Sequence, residues 1–234
     1  MPDATRVPPQ SVQELLIRAL ALQGRRVEEL AQALGVGVPT QPQRAKGFVG
    51  QLVERALGAD EKAGERPDFP SLGVELKTIP VNAAGQPAET TFCCSLSMLG
   101  ADREIWETSR LRQRLARVLW VPVQASKIAP LAARRFGRAV MWTPSAAQSA
   151  ALRADWEDLM GAVGAGRGAF VSAREGQVLQ LRPKAAHGGV RTLSPAADGV
   201  APSLPLGFYL RTSFTRQILA GGEATSESNP NGLP

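Results

Sequence analysis

Two carboxylates and one ammonium group stand close together in the sequence, at a spacing that suits hydrolysis of a phosphodiester. Glu75 and Lys77 lie two residues apart on a predicted strand that begins at Gly73, so their side chains point to the same face. Asp68 precedes that strand, in a loop bounded by prolines and closed by Gly73. Mg²⁺ binds hard oxygen ligands and keeps several waters, so one or two carboxylates suffice when a phosphate supplies further ligands. The lysine can stabilise charge on that phosphate or orient an attacking water.

A structural interpretation of the same residues stays open. On a solvent-facing strand, Glu75 and Lys77 would be two ordinary surface residues, and this spacing of Asp, Glu and Lys also occurs by chance. A Glu and a Lys on one side of a strand are nevertheless unusual in a protein interior. The spacing alone therefore does not decide between a metal site and a surface strand.

Other catalytic groups are scarce in this sequence. The single histidine, His187, is followed by two glycines, and we interpret it as part of a surface loop. One such histidine excludes the usual zinc sites and a histidine-based acid–base pair. The sequence also lacks a G-x-x-x-x-G-K-[ST] loop, which excludes a P-loop ATPase. Carboxylates and lysine remain as the candidate catalytic groups.

The two cysteines and the absence of long apolar runs bear on the cellular compartment. Cys93 and Cys94 are adjacent within an apolar, strand-like run. Neighbouring cysteines rarely bond to each other, and two alone make no metal site, so we expect buried thiols in a reducing compartment. No apolar run approaches the ~20 residues of a membrane span, and residues 1–6 are followed by no apolar signal core. We therefore expect a cytoplasmic protein that does not associate with a membrane.

The basic residues are concentrated in the second part of the chain. Residues 1–101 contain 10 Lys and Arg against 11 Asp and Glu, whereas residues 102–234 contain 17 against 10. Residues 110–138 alone carry eight basic side chains and no acidic one. A basic half beside a nearly neutral half that holds the carboxylates favours a polyanionic substrate such as nucleic acid. Solubility or a basic protein partner are the alternatives that the charge leaves open.

Periodicity and capping signals predict alternating helices and strands. Predicted helices lie at about 11–23, 27–34, 46–58, 107–115, 145–163 and 212–220, and predicted strands at about 73–80, 90–97, 118–123, 139–142, 170–173 and 178–181. We expect the strand at 90–97 to be the antiparallel partner of the central strand at 73–80. On the long helix at 145–163, we expect Asp155 to belong to a solvent-exposed acidic face together with Glu157 and Asp158.

Several longer blocks carry a resemblance to a known family. These blocks are 72–81 (LGVELKTIPV), 89–92 (ETTF), 106–109 (WETS), 117–123 (RVLWVPV), 182–186 (RPKAA) and 207–210 (GFYL). Together they resemble the bacterial DNA mismatch-repair endonuclease MutH, a family related to the type II restriction enzymes of the PD-(D/E)xK superfamily. The resemblance covers about residues 10–220 of the chain.

The resemblance implies an α/β fold of the restriction-endonuclease type, with a mixed central sheet flanked by helices and two arms around a DNA-binding cleft. We expect residues 1–10 to be loose and residues 221–234 to form a disordered tail. Between them we expect a single endonuclease domain, 11–220, with a catalytic arm at about 11–105 and a basic recognition arm at about 106–220. We expect the protein to be a monomer.

The resemblance also implies catalytic roles in the first arm. Asp68 and Glu75 would hold Mg²⁺, and Lys77 would orient water or stabilise the transition state for hydrolysis of a DNA phosphodiester. Glu54, on the helix at 46–58, matches a family glutamate that reaches the metal cluster. From periodicity alone, Glu54 is an exposed helix residue that lies off the apolar stripe.

One position departs from the family pattern. Ala116 stands where the family commonly has a lysine near the active site. Either Arg114 or Arg117 would substitute for that lysine, or the lysine is dispensable. The departure affects the expected electrostatics around the phosphate and leaves the expected metal site unchanged.

The resemblance further implies a set of DNA contacts. The residues expected to bind DNA are Lys46, Gly47, Phe92, Arg182, Pro183, Lys184 and Tyr209. Arg182 and Lys184 are the candidates for base recognition, because an Arg reads guanine through two parallel hydrogen bonds. Phe92 has two open interpretations, a position near the DNA and a position in the core. Tyr209 matches the residue near the adenine whose N6-methylation blocks cutting, where a bulky ring would exclude the added methyl group.

The target and partners follow only from the resemblance. It implies double-stranded DNA with hemimethylated GATC sites, nicked on the unmethylated strand. It also implies activation by MutL after MutS has found a mismatch. The alternative is a type II restriction-like endonuclease that cuts both strands without a partner.

Overall fold

The described helices and strands follow the predicted order as far as the strand at Leu179–Pro183, and the sequence pattern does not predict the three strands beyond it, at Thr192–Ala196, Gly199–Ser203 and Leu206–Leu210. The structure, a computed structural model, describes residues 7–41, 45, 47–126, 128–166, 174–184, 191–196 and 199–224. The described helices are α1 (Val12–Leu20), α2 (Val27–Ala33), α3 (Phe48–Leu57), α4 (Arg110–Leu115), α5 (Ala146–Gly164) and α6 (Thr212–Ala224). The described strands are β1 (Glu75–Val81), β2 (Thr91–Ser95), β3 (Val118–Gln124), β4 (Val140–Trp142), β5 (Leu179–Pro183), β6 (Thr192–Ala196), β7 (Gly199–Ser203) and β8 (Leu206–Leu210).

Contacts along the chain divide it into two units. The first unit comprises residues 1–89, 116–143 and 216–234, and the second comprises residues 90–115 and 144–215. The arm boundaries that the sequence suggests, with a division at about residue 105, stay a prediction.

A mixed sheet lies in the first unit, in the order β1, β3, β4. β1 and β3 run parallel with Glu75 opposite Val118, and β4 runs antiparallel to β3 with Met141 opposite Leu119. Six of the seven residues of β3 are buried. A continuous apolar run of this kind is typical of a strand that is covered on both faces. The prediction of a mixed sheet flanked by helices is therefore confirmed.

The strand that follows β1 in the sequence is not its partner. β2 pairs with β8 in the second unit, so the prediction of an antiparallel partner at 90–97 was wrong. The turn after β1 closes locally, where the Ala88 N–H donates to the Pro80 carbonyl at 2.9 Å. Consecutive strands often pair, but here β3, six of whose seven residues are buried, takes the edge of β1.

Three helices pack with this sheet around one hydrophobic core. Its buried members from α1, α2 and α3 include Leu15, Ala19, Val27, Leu30, Leu52, Val53, Ala56 and Leu57, and its members from the sheet are Leu76, Leu119, Val121 and Val123. The Ser11 hydroxyl accepts a hydrogen bond from the Glu14 N–H at 3.1 Å and so caps the start of α1. α3 ends at Gly58, whose φ of 80° favours glycine.

The second unit contains an antiparallel sheet in the order β2, β8, β5. α5 packs on β5 and on the short 3₁₀ turn at Ala101–Arg103. Its Trp156 ring lies 5.8 Å from the Trp106 ring, and both tryptophans are buried. β6 and β7 form a separate two-stranded ribbon.

Helix α5 departs from its predicted pattern at one residue. Asp155 is buried, with 6% of its surface exposed, whereas Glu157 and Asp158 are exposed as expected. The prediction that Asp155 belongs to the solvated face was wrong, because its carboxylate accepts hydrogen bonds from backbone N–H groups of the second unit.

Parts of the chain lie outside the described residues. The predicted strand at 170–173 falls there, as do Lys46 and His187. The final helix extends beyond its predicted end at residue 220, since α6 continues to Ala224. Residues 225–234 lie outside the described residues. Among the helices that the structure describes, none is long and apolar enough to cross a membrane.

The core packing predicts a large cost for truncating β3. Leu119→Ala should lower the free energy of unfolding by about 2–5 kcal/mol, because Leu119 is fully buried and a cavity would remain. Leu99→Ala serves as the control, since Leu99 is 47% exposed and a surface change is worth about 0.5 kcal/mol or less. Urea unfolding measures both, and equal midpoints would contradict the assignment of Leu119 to the core.

Candidate active site

A tight loop brings Asp68 back to the strand that carries Glu75. The Phe69 N–H donates to the Val74 carbonyl at 2.9 Å, and the Val74 N–H donates to the Phe69 carbonyl at 3.2 Å. Gly73, with a φ of 61°, allows the chain to reverse between them. The Asp68 carboxylate then accepts a hydrogen bond from the Leu76 N–H at 2.8 Å. The loop therefore places Asp68 beside the first residues of β1.

Glu75 and Lys77 form a buried ion pair on β1. The Lys77 Nζ lies 2.5 Å from Glu75 Oε1, and the side chains are 14% and 1% exposed respectively. The interpretation as an ordinary solvent-facing strand is therefore wrong, since Glu75 lies in the interior. Burying a carboxylate costs free energy unless it is paired and hydrogen-bonded, and the ammonium provides that pairing.

Glu54 shares the electrostatic environment of these residues from α3. Burial raises the pKa of Glu54 above its ordinary value, and the negative charge of Asp68 raises that pKa further. The Lys77 ammonium lowers the pKa of Glu54, while the Glu75 carboxylate adds a smaller rise. α3 packs on β1, so one helix and one loop–strand unit bring the four groups together. We call these four residues the acidic–lysine cluster.

The acidic–lysine cluster has the donors that a hard divalent cation requires. Within the described part of the chain, no three His, Cys, Asp or Glu side chains are arranged as a ready-made metal site. Mg²⁺ needs only one or two protein carboxylates when phosphate oxygens and water complete its octahedron. The cluster places three carboxyl groups beside one ammonium, and a bound cation would offset the repulsion from Asp68 that contributes to the raised pKa of Glu54. The donor set fits Mg²⁺ in the presence of a phosphate substrate.

Arg117, the residue after Ala116, reaches the Asp68 loop with its guanidinium group. Arg117 Nη1 donates to the Leu72 carbonyl at 3.4 Å, and the Arg117 carbonyl accepts from the Glu75 N–H at 3.0 Å. Arg114 belongs to the second unit and Arg117 to the first. Arg117, one of the two candidates that the sequence left open, therefore contacts the loop between Asp68 and Glu75.

Four further predicted site residues meet on one face of the second unit's sheet. The Arg182 guanidinium lies 5.6 Å from the centre of the Tyr209 ring, and Lys184 Nζ lies 3.7 Å from the centre of the Phe92 ring. The two rings contact each other edge to face, with 5.3 Å between their centres. We call Phe92, Arg182, Lys184 and Tyr209 the cation–aromatic array. Cation–π and edge-to-face contacts are each worth about 0.5–1.5 kcal/mol, so the array is preorganised.

Three residues that sequence reasoning missed support this array. Thr90 Oγ1 accepts a hydrogen bond from Arg182 Nη1 at 2.8 Å, and Ser95 Oγ accepts one from Lys184 Nζ at 3.2 Å. A Cβ on Gly207 would lie 2.9 Å from the Phe92 ring, so only glycine leaves room for that ring.

A bulge in β2 explains why the sequence did not reveal one of these partners, Ser95. The strand pairs are Phe92–Tyr209, Cys94–Phe208 and Ser95–Gly207. Cys93 is therefore an extra residue that shifts the register, so that Ser95 lies opposite Gly207 and not opposite Leu206, as it would in a regular ladder. The hydrogen bond between Ser95 and Lys184 depends on this shift, and no local signal in the sequence marks it.

The environment of Tyr209 is partly apolar. Burial raises the pKa of the Tyr209 hydroxyl, the Arg182 charge lowers it, and Cys93 raises it slightly. Phe92 is half-buried against Tyr209 and lies on the same face as Arg182. Phe92 is therefore not a deeply buried core residue.

The remaining predicted contacts lie at the ends of elements. Pro183 is the exposed last residue of β5, between Arg182 and Lys184. Gly47 precedes α3 with a φ of 80°, which a side chain would disfavour. Backbone N–H groups at such a helix start favour a phosphate. Lys46 lies outside the described residues.

These features define the class of the protein. A mixed sheet flanked by helices, with an Asp on a loop and a Glu-x-Lys on the strand after it, is the arrangement of restriction-endonuclease-like proteins.

Comparison with known proteins identifies the family within that class. A family model described as DNA mismatch repair enzyme MutH matches residues 57–155. The DNA mismatch repair protein MutH of Shewanella amazonensis is 47% identical over 218 residues, which cover 92% of this chain and 96% of the relative. Those of Vibrio cholerae and Serratia proteamaculans are 48% and 46% identical over 214 and 216 residues, covering 90% and 91% of this chain and 96% and 94% of the relatives. The chain belongs to the MutH family of DNA mismatch-repair endonucleases.

The raised pKa of Glu54 predicts a stability gain from neutralising it. A carboxyl group whose pKa is raised on folding destabilises the protein at pH above its unfolded value. In metal-free buffer, Glu54→Gln should therefore raise the melting temperature at pH 7, and the gain should disappear below about pH 4, where glutamate is protonated in both states.

Thermal unfolding against pH measures this effect. Glu61→Gln, at an exposed position of the same unit, is the control and should leave the melting temperature unchanged. A Glu54→Gln melting temperature below that of the wild type at pH 7 would contradict the electrostatic account.

Proposed function

We propose that this chain is an Mg²⁺-dependent endonuclease that nicks the unmethylated strand of hemimethylated GATC sites in double-stranded DNA. The buried Glu75–Lys77 pair beside Asp68 is the observation that supports it most directly. An ion pair with a 1% exposed carboxylate is an expensive feature for a strand, and a catalytic requirement explains its presence.

In this proposal the acidic–lysine cluster performs the hydrolysis. Asp68 and Glu75 would hold Mg²⁺, and Glu54 would support them from α3. When bound, Mg²⁺ supplies an activated water and neutralises charge on the phosphate. Lys77 Nζ, which contacts Glu75 Oε1, would orient that water or donate to a phosphate oxygen as negative charge develops on it. Arg117 would add positive charge near the loop in place of the family's lysine at position 116.

The cation–aromatic array would read the target site. Arg182 would contact guanine, Lys184 and Pro183 would lie against neighbouring bases or phosphates, and Phe92 would pack near the DNA. Tyr209, beside Arg182, would crowd an N6-methyl group on adenine. Lys46 and Gly47 at the start of α3 would contact the backbone.

The remaining parts of the proposal concern partners and location. Activation by MutL, after MutS has found a mismatch, would restrict nicking to replication errors. The protein would act as a monomer on chromosomal DNA, which lies in the bacterial cytoplasm. Mismatch repair as the process is supported by the names of the relatives, whereas strand choice and activation are inferences from the family resemblance.

Removing the ammonium or the buried carboxylate should abolish nicking while DNA binding survives. Lys77→Ala and Glu75→Ala should each reduce kcat by about 10²-fold or more, because each removes a group that acts on the transition state. The measurement is nicking of a GATC plasmid with Mg²⁺, alongside binding to the same DNA. Lys62→Ala, at an exposed lysine of the same unit, should nick like the wild type. A normal rate in either variant would falsify the site assignment.

The same plasmid distinguishes the proposed nickase from a restriction-like enzyme. A nickase should convert supercoiled plasmid to the open circular form, and MutL should accelerate the conversion. Linear product formed at an undiminished rate without MutL would support the alternative that both strands are cut.

Tyr209 should control discrimination against methylated DNA. Tyr209→Ala removes the ring beside Arg182, so cleavage of fully methylated GATC should rise relative to unmethylated GATC. Tyr209→Phe keeps the ring and should discriminate like the wild type. Rates on unmethylated, hemimethylated and fully methylated plasmids provide the test, and unchanged discrimination in Tyr209→Ala would refute this role.

A further inference from the structure

The buried carboxylate of Asp155 is unusual for a residue outside the acidic–lysine cluster. It projects from α5, where the neighbouring buried residues are Leu152, Trp156 and Leu159. Its Oδ1 accepts a hydrogen bond from the Gln177 N–H at 2.9 Å. Its Oδ2 accepts from the N–H groups of Val178 at 2.6 Å and Leu179 at 2.8 Å.

These three N–H groups belong to the segment that leads into β5. Leu179 is the first residue of β5, and Arg182 follows three residues later, roughly 10 Å further along the strand. In the described sheet, β5 is the outer strand and pairs with β8 alone. An outer strand has one edge that no other strand pairs with. Here the Asp155 carboxylate accepts hydrogen bonds from the N–H groups at the start of β5.

A second set of bonds fixes the turn before β5. Arg211 Nε donates to the Gly176 carbonyl at 2.9 Å, and Arg211 Nη2 donates to the Glu175 carbonyl at 3.0 Å. The Arg211 N–H donates to the Val178 carbonyl at 2.9 Å. Gly176 has a φ of 81°, and a Cβ there would lie 2.2 Å from the Leu179 carbonyl oxygen. The turn is thus held by Asp155 on one side and by Arg211, the residue after β8, on the other.

The register of β5 decides which side chains join the cation–aromatic array. Arg182 lies opposite Gly207, and Gln180 lies opposite Tyr209. A slip of one residue would turn Arg182 and Lys184 to the other face of the sheet, because side chains alternate along a strand. Leu179 and Leu181 oppose such a slip by burial, and Asp155 opposes it at the point where the strand begins.

We propose that Asp155 is a positioning residue for sequence recognition, which fixes the register and orientation of β5 and thereby places Arg182 and Lys184 beside Tyr209 and Phe92. A carboxylate that accepts several backbone N–H bonds holds a segment more firmly than neutral acceptors do, because hydrogen bonds to a charged group are stronger. The inference rests on the proposed function, since it assigns Asp155 to the accuracy of the same nicking reaction. Asp155 itself takes no part in the hydrolytic step.

The test compares Asp155→Asn with Asp158→Asn, an exposed carboxylate on the same helix. Asparagine keeps the shape of the side chain but can accept from only one of its two ends. We expect KM for GATC DNA to rise and discrimination against sites with one substituted base pair to fall by about 10-fold, within the range expected for one lost base contact. The value of kcat at saturating GATC DNA should stay unchanged, and Asp158→Asn should match the wild type in every respect.

Hydrogen exchange provides the readout that separates positioning from general stability. Exchange at residues 177–179 should become faster in Asp155→Asn, while the buried strand β3 exchanges as in the wild type. Faster exchange with wild-type discrimination would overturn the inference, as would an equal loss of nicking on cognate and substituted sites.

Two further controls keep the outcome interpretable. If Asp155→Asn does not fold, Asp155→Glu retains the charge but displaces it by one methylene, and it should show the same loss of discrimination; unchanged discrimination would overturn the inference. The wild-type measurement alone tests the proposed function. If the wild type does not nick GATC DNA, the proposed function is wrong, whatever the Asp155 variants do.

Discussion

The burial of an ionised carboxylate next to an ammonium on one strand is the constraint on which the rest of this structure depends. Glu75 is 1% exposed, and its pairing with Lys77 at 2.5 Å offsets part of the cost of removing both charges from water. The pair needs a rigid support, which the parallel neighbour β3 provides through a nearly fully buried run. It also needs the Phe69–Val74 turn, which brings the Asp68 carboxylate to the Leu76 N–H. A strand, a turn and a covering helix with Glu54 together make the acidic–lysine cluster.

The second unit holds two long cationic side chains, Arg182 and Lys184, in defined positions on a sheet surface. Arg182 and Lys184 each contact an aromatic ring and a hydroxyl group, and the two rings contact each other. Such contacts reduce the conformational entropy that the side chains would lose on binding. In the proposed function, chemistry and recognition would therefore be supported by separate sheets, with mixed pairing in the first unit and antiparallel pairing in the second.

The parts of the site that are local in sequence could be predicted, and the parts that depend on tertiary register could not. Asp68, Glu75 and Lys77 lie within ten residues, so strand alternation and a proline–glycine loop suffice to group them. Ser95 meets Lys184 only because Cys93 shifts the register of β2, and Thr90 meets Arg182 across 92 residues of sequence. The partner of β1 was mispredicted because a neighbouring strand was favoured over a distant and more apolar one. Asp155 was placed on the solvated face, although its spacing of three residues from Leu152 and four from Leu159 puts it on the apolar stripe.

The central claim is that Asp68 and Glu75 hold a divalent cation against the DNA phosphate that is hydrolysed. The most direct measurement is a crystal structure of the protein with duplex GATC DNA and Ca²⁺, a cation that binds the same kind of oxygen ligands and is easily located. The account predicts one or more ions bound at about 2.3–2.6 Å from oxygens of both carboxylates and from an oxygen of the phosphate at the GATC site. Ions bound elsewhere, or DNA bound with its phosphates away from both carboxylates, would contradict it.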